Sequence, residues 1–435
     1  MRVFLTRTPE GGFPEKGLKE LGPFPLGDIA GFYYAKGNKI VNLSRGDKII
    51  FDGVITNYAG HEEEYLKWFF HTGSIEDLVL DSQEWDGAWS IIYIHSNGRI
   101  YCFTDPLGKK QLYYNPQGRI SSSITALALG SQPDELYRSE VAKWGYNTDD
   151  RTPWEKVKRI MPNQLYSFDK TGELLRIKRP HFDFRWSASP LSPRGFKDMV
   201  HNRVGEYLKG IEAKSVGVLL SGGIDSSIIA TELLKFKDRG FALNFYTINN
   251  QEDAPFVELF AKIHGLKVTT LSYDMSKIDL RKALTINETP VDLGSMIPNQ
   301  IMFSQVPEQV IFTGDGPDEL FGGYRRIDDY DSQKSDVFQE LSFYHLPRLE
   351  RAADHFGKDL RCPWLSYDII RYALSLPYED RKHKSILKEA YKDEIPAEII
   401  QRPKLPLKND EIRTDPFGYR CKLINTFYDT ISMTI

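Results

Sequence analysis

Up to about residue 185 the chain runs through short segments rich in β-branched and aromatic residues, several of them alternating apolar with polar positions: 31–34, 39–43, 48–51, 88–94, 99–103, 111–114 and 164–168. Runs this short read as strands. Asn97-Gly98, lying between two of them, is a strong hairpin signal, because these residue types accept the positive φ of a tight turn. A β-rich, sandwiched domain is expected over residues 1–185.

The texture changes after residues 179–194, which are rich in Pro, Ser and Arg and read as a linker. Beyond it, residues 196–209 have the pattern of an amphipathic helix, 215–220 a buried strand, 226–237 a helix, 242–248 a strand, 251–264 a helix, and 267–272 and 309–313 strands. Strands alternating with helices predict βαβ units and a parallel sheet. Residues 340–399 are mostly helical in pattern, so a second domain over 190–435 is expected to end in a helical tail, and the chain as a whole is of the α/β class.

Composition narrows the function classes. With 41% apolar and 27% charged residues in 435, the chain is ordinary globular material. A formal charge of -4 argues against a protein that coats nucleic acid. Cys102, Cys362 and Cys421 are too few and too scattered for a disulfide framework or a CxxC metal site. No apolar run approaches a signal-peptide core or a membrane span, so a cytoplasmic protein without membrane partners is expected.

Two segments carry chemistry. The first is Ser215-Val-Gly-Val-Leu219-Leu220-Ser221-Gly222-Gly223-Ile224-Asp225-Ser226-Ser227, a strand running through a Gly-rich turn into a helix. Free backbone N–H groups and the positive helix end face any anion in that turn. It has no Lys and is therefore not a GxxxxGK[ST] loop. Asp225 among phosphate donors makes sense with a divalent cation, since Mg²⁺ is commonly held by one or two carboxylates plus phosphates. The bland alternative is a well-capped strand-to-helix turn. The second segment, Thr313-Gly314-Asp315-Gly316-Pro317-Asp318-Glu319-Leu320-Phe321-Gly322-Gly323-Tyr324, also follows a strand and crowds three acids into one loop. Crowded acids call for a cation, which pairs Asp318 with Asp225; the bland alternative is a solvated acidic turn.

Together these segments resemble the asparagine synthetase family, to which β-lactam synthetases also belong. Residues 221–227 look like its pyrophosphate loop, and residues 313–324 like its SG(E/D)GxDE(L/V)FGGY signature. The resemblance implies an ATP-pyrophosphatase-type second domain with ATP against Leu219, Leu220, Ser221, Gly222, Gly223, Asp225, Ser226, Ser227, Thr247 and Gly314. Leu219 and Thr247 would border adenine, and Mg²⁺ would rest on Asp225 and Asp318. It further implies that a substrate carboxylate is adenylated with release of pyrophosphate and that an amine then displaces AMP. Lys404, in Arg402-Pro403-Lys404-Leu405, matches the family's late catalytic lysine. Asp315 matches a group near the attacking amine, and Glu288 an acid near the substrate pocket, with a structural salt bridge as the alternative for Glu288.

The first domain resembles the family's glutaminase, an αββα sandwich. Asp86-Gly87-Ala-Trp-Ser and Asp105-Pro106-Leu-Gly108-Lys109-Lys110-Gln-Leu-Tyr113-Tyr114 follow its DGxF…DPxGxKPLYY pattern. Three features depart from it. Arg2 stands where the family has its nucleophilic Cys, Asp52-Gly53-Val54 replaces the glutamine-binding NGE, and Gly60-His61-Glu62-Glu63 lacks the Asp that holds the substrate's amino group. Cys102, in an apolar run, reads as a structural thiol. The expectation is a degenerate glutaminase domain and an ammonia-dependent asparagine synthetase acting on aspartate. A β-lactam or lasso-cyclase-like ligase using a substrate amine is the alternative enzyme, and an inactive nucleotide-binding scaffold the alternative of another class. The resemblance is also compatible with a homodimer.

Overall fold

The computed structural model describes residues 39–178, 190–323, 339–403 and 415–431, with three short strands ahead of them. In chain order the first half contributes β1 (Val3–Leu5), β2 (Lys19–Glu20), β3 (Phe32–Tyr34), β4 (Lys39–Asn42), β5 (Lys48–Ile55), β6 (Gly87–Ile94), β7 (Ile100–Thr104), β8 (Tyr113–Tyr114), β9 (Ile120–Ser121), β10 (Lys158–Arg159), β11 (Leu165–Phe168) and β12 (Leu174–Lys178). They form two six-stranded antiparallel sheets, ordered β12-β11-β7-β6-β5-β4 and β10-β8-β9-β1-β3-β2.

The alternation along β5 and β6 divides their side chains between two cores. Ile50 and Ile92 cluster with Cys102, Leu112, Ile120 and Ile160 between the sheets. Ile49, Phe51, Ile91 and Tyr93 cluster with residues of α1 (Glu62–Phe69) and α2 (Ile75–Asp81). Because both faces are covered, every position of β6 but Ala88 is buried, which is why its sequence reads as an almost unbroken apolar run. Burial raises the Cys102 thiol well above its ordinary pKa, as befits a structural thiol. The expected hairpin forms with a three-residue loop: His95 N donates to Arg99 O (2.9 Å), and Gly98 takes φ +87° at the position that a side chain would strain.

The layer over the second sheet draws on both ends of the chain. Tyr113, Tyr137, Val141 and Trp154 share a core with Leu423, Phe427 and Ile431 of the helix Pro416–Ile431; α3 (Glu135–Trp144) supplies Tyr137 and Val141. Most of the segment expected as a linker lies outside the described residues, but α4 (Pro193–Tyr207) begins within it, Ser192 Oγ accepting from Gly195 N at 3.1 Å.

The second half is built on a parallel sheet of β13 (Ser215–Leu219), β14 (Ala242–Ile248), β15 (Val268–Leu271), β16 (Val310–Phe312) and β17 (Asp359–Arg361), ordered β15-β14-β13-β16-β17. β17 adds a strand to the mostly helical 340–399, and a three-residue edge strand has no period to read. Around the sheet lie α5 (Ile224–Leu234), α6 (Ala254–His264), α7 (Leu280–Asn287) and α8 (Leu293–Gln305). The chain leaves β13 to build β14 and β15 on one side, then returns to place β16 on the other. That reversal opens a crevice at the carboxyl ends of β13 and β16. No helix among the described residues is long and apolar enough to cross a membrane.

The two halves are joined through buried charge. The Asp105 carboxylate accepts from the N–H groups of Leu107 (3.0 Å), Lys109 (3.2 Å) and Lys110 (3.2 Å), fixing the turn from which both lysines reach across. Lys109 Nζ donates to Gly87 O (2.8 Å) and Leu365 O (3.1 Å), and Lys110 Nζ meets Glu350 (2.8 Å) and Asp354 (2.6 Å). Burial, reinforced by the charge of Asp354, pushes the Glu350 carboxyl up to about 7 despite the pull of Lys110. Its folded pKa exceeds its unfolded one, so folding takes up a proton between roughly pH 4.5 and 7, and this group's contribution to stability falls as pH rises through that window. Lys110→Met is therefore expected to cost about 3–5 kcal/mol at pH 8 by denaturant unfolding and clearly less at pH 5, where Glu350 is neutral. An equal cost at both pH values would show that the ion pair does not matter as argued.

Candidate functional site

The loop after β13 and the loop after β16 lie side by side. Gly314 makes this approach, because a Cβ there would stand 2.6 Å from Ser226 N. Gly223 caps α5, and the turn ahead of it is tied by Ser226 Oγ, which accepts from Ser221 N (3.1 Å), meets Ser221 Oγ (3.0 Å) and lies 3.2 Å from Gly223 O. The two loops wall a cavity of about 1340 Å³. A cleft for one small ligand is roughly 300–1,000 Å³, so this one has room for two reactants.

Asp225, in the first turn of α5, and Asp318, in the one-turn helix Pro317–Leu320, converge on a single ammonium: Lys384 Nζ stands 2.6 Å from Asp225 Oδ2 and 2.5 Å from Asp318 Oδ1. All three side chains are largely buried. Lys384 is held there by its backbone. His383 (φ 56°) and Lys384 (φ 59°) are consecutive left-handed residues, and their N–H groups donate to Gly322 O (2.9 Å) and Phe321 O (2.8 Å) of the second signature segment. Left-handed backbone at a residue other than glycine costs about 1–3 kcal/mol and persists only where surrounding structure enforces it. Gly323 is the complement, since a Cβ on it would lie 1.9 Å from Asp318 Oδ1 and 2.5 Å from Lys384 Cε.

Other cations face the same cavity. Lys388 lines it, its ammonium pushed below the ordinary lysine pKa by burial and then by the charge of Lys384. Arg402 donates to Ser221 O (3.1 Å), pairs with Asp253 and lies over the Phe256 ring. Chemically, the arrangement combines a donor-lined turn at a helix N-terminus, several cations suited to a polyanion, and two carboxylates able to hold a divalent ion. Among the described residues no group of three or more His, Cys, Asp or Glu side chains could hold a metal by itself. An ion on Asp225 and Asp318 would complete its coordination with ligand oxygens and water.

Of the residues singled out in the sequence, Leu219, Leu220, Ser221, Gly223, Asp225, Ser226, Thr247, Gly314, Asp315 and Asp318 all line this cavity. Gly222 (φ +67°) backs against Phe256 and Ser227 is fully buried, so both support the turn from behind. Lys404 lies outside the described residues; Pro403 beside it lines the cavity. Glu288 is not brought to the cavity. Its carboxylate accepts from Ile124 N (2.9 Å) and Thr125 N (3.1 Å) and lies 3.3 Å from Arg351, as in the salt-bridge alternative. Lys384 and Arg348 give no signal in the sequence, where they are isolated cations in helical surroundings, and Arg402 stands out there only as a neighbour of Lys404.

The family model described as asparagine synthase matches residues 211–349 and 332–420. A protein of Methanocaldococcus jannaschii named as a glutamine-hydrolyzing asparagine synthetase is 26% identical over 366 residues, 76% of this chain and 65% of that protein. Similarly named proteins of Acanthamoeba polyphaga mimivirus and Rattus norvegicus are 23% identical over 369 residues (78% of this chain, 66% of that one) and 28% identical over 218 (44% and 39%). The chain spans less than two thirds of the length of each of these relatives.

Gly314→Ala is expected to force the two loops apart, lowering stability by about 1–3 kcal/mol in a denaturant titration. An unchanged midpoint would mean that the contact between the loops is not as close as described.

Proposed function

The chain belongs to the asparagine synthetase family, and from that premise we propose that it is an ATP-dependent, AMP-forming ligase that makes asparagine from aspartate and ammonia without hydrolysing glutamine. The observation that carries this reading is the convergence of Asp225 and Asp318, one from each signature loop, on a single cation position.

In this reading ATP lies along the turn after β13, its phosphates against the donors of Ser221, Gly223 and Ser226, with Leu219 and Thr247 at the base. Mg²⁺, held by Asp225 and Asp318 with phosphate oxygens, would neutralise charge on the departing pyrophosphate. An oxygen of the substrate carboxylate attacks the α-phosphorus and the bond to pyrophosphate breaks, giving an acyl-adenylate. Ammonia then adds to the acyl carbon, loses a proton and expels AMP. Lys388 offers positive charge where negative charge builds up, and Lys384, whose ammonium stands between Asp225 and Asp318, would turn to the phosphates when Mg²⁺ takes that position. Asp315, on the cavity wall, takes the proton from the amine in this reading. Lys404 is assigned the family's late catalytic role from its place in the sequence.

The first half, residues 1–185 in this proposal, serves as a platform. Asp52 is 3% exposed within β5, opposite Ser90 of β6, so a buried acid stands where the glutaminase pattern carries an amide donor. Val54 and His61 extend the departure.

With Mg·ATP, aspartate and ammonium, AMP, pyrophosphate and asparagine are expected, and none with glutamine in place of ammonium. Asp225→Asn and Asp318→Asn should each lower kcat/KM by at least about 100-fold while the protein stays folded by circular dichroism. Full activity in either variant would sink the metal assignment. Glutamine-supported turnover would restore the first half as a glutaminase. Pyrophosphate release that requires another acid or amine would move the chain to the substrate-amine ligases.

A further inference from the structure

One stretch of cavity wall has no part in that mechanism. It is made by the start of α8 and by the helix Leu346–His355 with His345 ahead of it, and Arg348 is its cation. The guanidinium is fixed on three sides. Nη1 donates to Ser295 Oγ (2.6 Å), Nη2 meets His345 Nδ1 (3.0 Å), and the Tyr344 ring lies 4.9 Å from its centre. Three acids stand one residue further away. Ser295 Oγ is 3.0 Å from Asp292 Oδ2, and His345 Nε2 is 3.3 Å from Glu319 and 3.9 Å from Glu340.

What distinguishes Arg348 is what it does not touch. Among the described residues it pairs with no carboxylate, and its buried Nε has no hydrogen-bond partner. Arg351, less than one turn further along the same helix, is paired with Glu288. A buried N–H left unsatisfied is costly, and the guanidinium fork matches the paired oxygens of a carboxylate or a phosphate. A rigid, charged and incompletely bonded arginine on the wall of a reaction cavity is built to meet an anion supplied by a ligand.

We propose that Arg348 is a specificity-determining residue: it binds a carboxylate of the acid substrate other than the one that is activated, so the site selects a small dicarboxylic acid over a monocarboxylic one. This rests on the ligase reading above.

The test compares wild type, Arg348→Gln and Arg348→Lys with succinate, L-aspartate and propionate. Pyrophosphate release with Mg·ATP and ammonium is followed, together with calorimetric binding of each acid in the presence of a non-hydrolysable ATP analogue. In wild type both diacids should be preferred to propionate. In Arg348→Gln the KM for the diacids should rise on the order of 100-fold, with kcat changed far less and propionate unaffected. Arg348→Lys should recover part of the preference. An equal change for succinate and propionate, or no change for either, would overturn the assignment, with melting curves confirming that the variants are folded. If wild type releases no pyrophosphate with any acid, the ligase reading fails by itself. Calorimetry then decides Arg348 separately: diacid binding lost in Arg348→Gln supports it, and binding retained in that variant, or absent in wild type, refutes it.

Discussion

Two carboxylates from different loops held against one ammonium are the constraint on which the second half depends. Asp225 and Asp318 would repel each other across a buried gap if nothing positive lay between them. Lys384 supplies that charge at 2.6 and 2.5 Å. Its position demands the rest: left-handed backbone at 383 and 384, hydrogen bonds to Phe321 and Gly322, no side chain at 323, and none at 314 where the loops meet. The parallel sheet makes this economical, because reversing the strand order at β13 sets the two loops beside each other without further support. The same cavity wall carries further cations, Lys388, Arg402 and Arg348, beside the acids Glu252, Asp253, Asp315 and Glu319.

The first half keeps one part of its sequence pattern and has changed another, and the structure separates the two by task. Asp86, Asp105, Lys109 and Lys110 are interface residues. Asp86 Oδ1 accepts from Tyr207 OH at 2.9 Å, Asp105 shapes the turn, and the lysines cross to Leu365, Glu350 and Asp354. Asp52 and Val54, which depart from the glutamine-binding pattern, lie in β5 opposite Ser90 and Ala88 of β6, and His61, which departs with them, precedes α1. Residues that hold the halves together are constrained by buried charge whether or not the first half has chemistry of its own.

The sheet of the second half was legible because buried parallel strands are apolar runs and their connecting helices have a different period: 242–248 is read with its observed bounds, and 215–220 and 267–272 within a residue. Both signature loops were legible because glycine and acid at such density have few other uses. β17 was not, since Asp359-Leu360-Arg361 becomes a strand only through its pairing with β16. Nor was Lys384, whose role comes from an unusual backbone that nothing in Lys382-His383-Lys384-Ser385 announces. Glu288 shows the opposite failure. An acid near a suggestive position is indistinguishable in sequence from one that caps a turn, and here it receives the N–H groups of residues 124 and 125.

The helix Leu346–His355 explains why a half without chemistry of its own would still matter to the site. At 3.6 residues per turn, residues 345, 348 and 349 share one face and 350, 351 and 354 another. The first face lines the cavity with His345, Arg348 and Leu349. The second presents Glu350 and Asp354 to Lys110, and Arg351 to Tyr113, all across the interface. A rigid helix cannot turn one face without turning the other, so the buried charges that dock the first half also fix the direction in which Arg348 enters the cavity. Loosening Lys110 would then disturb the wall that carries Arg348 while leaving the Asp225–Lys384–Asp318 cluster, which draws on β13, β16 and residues 383–384, in place.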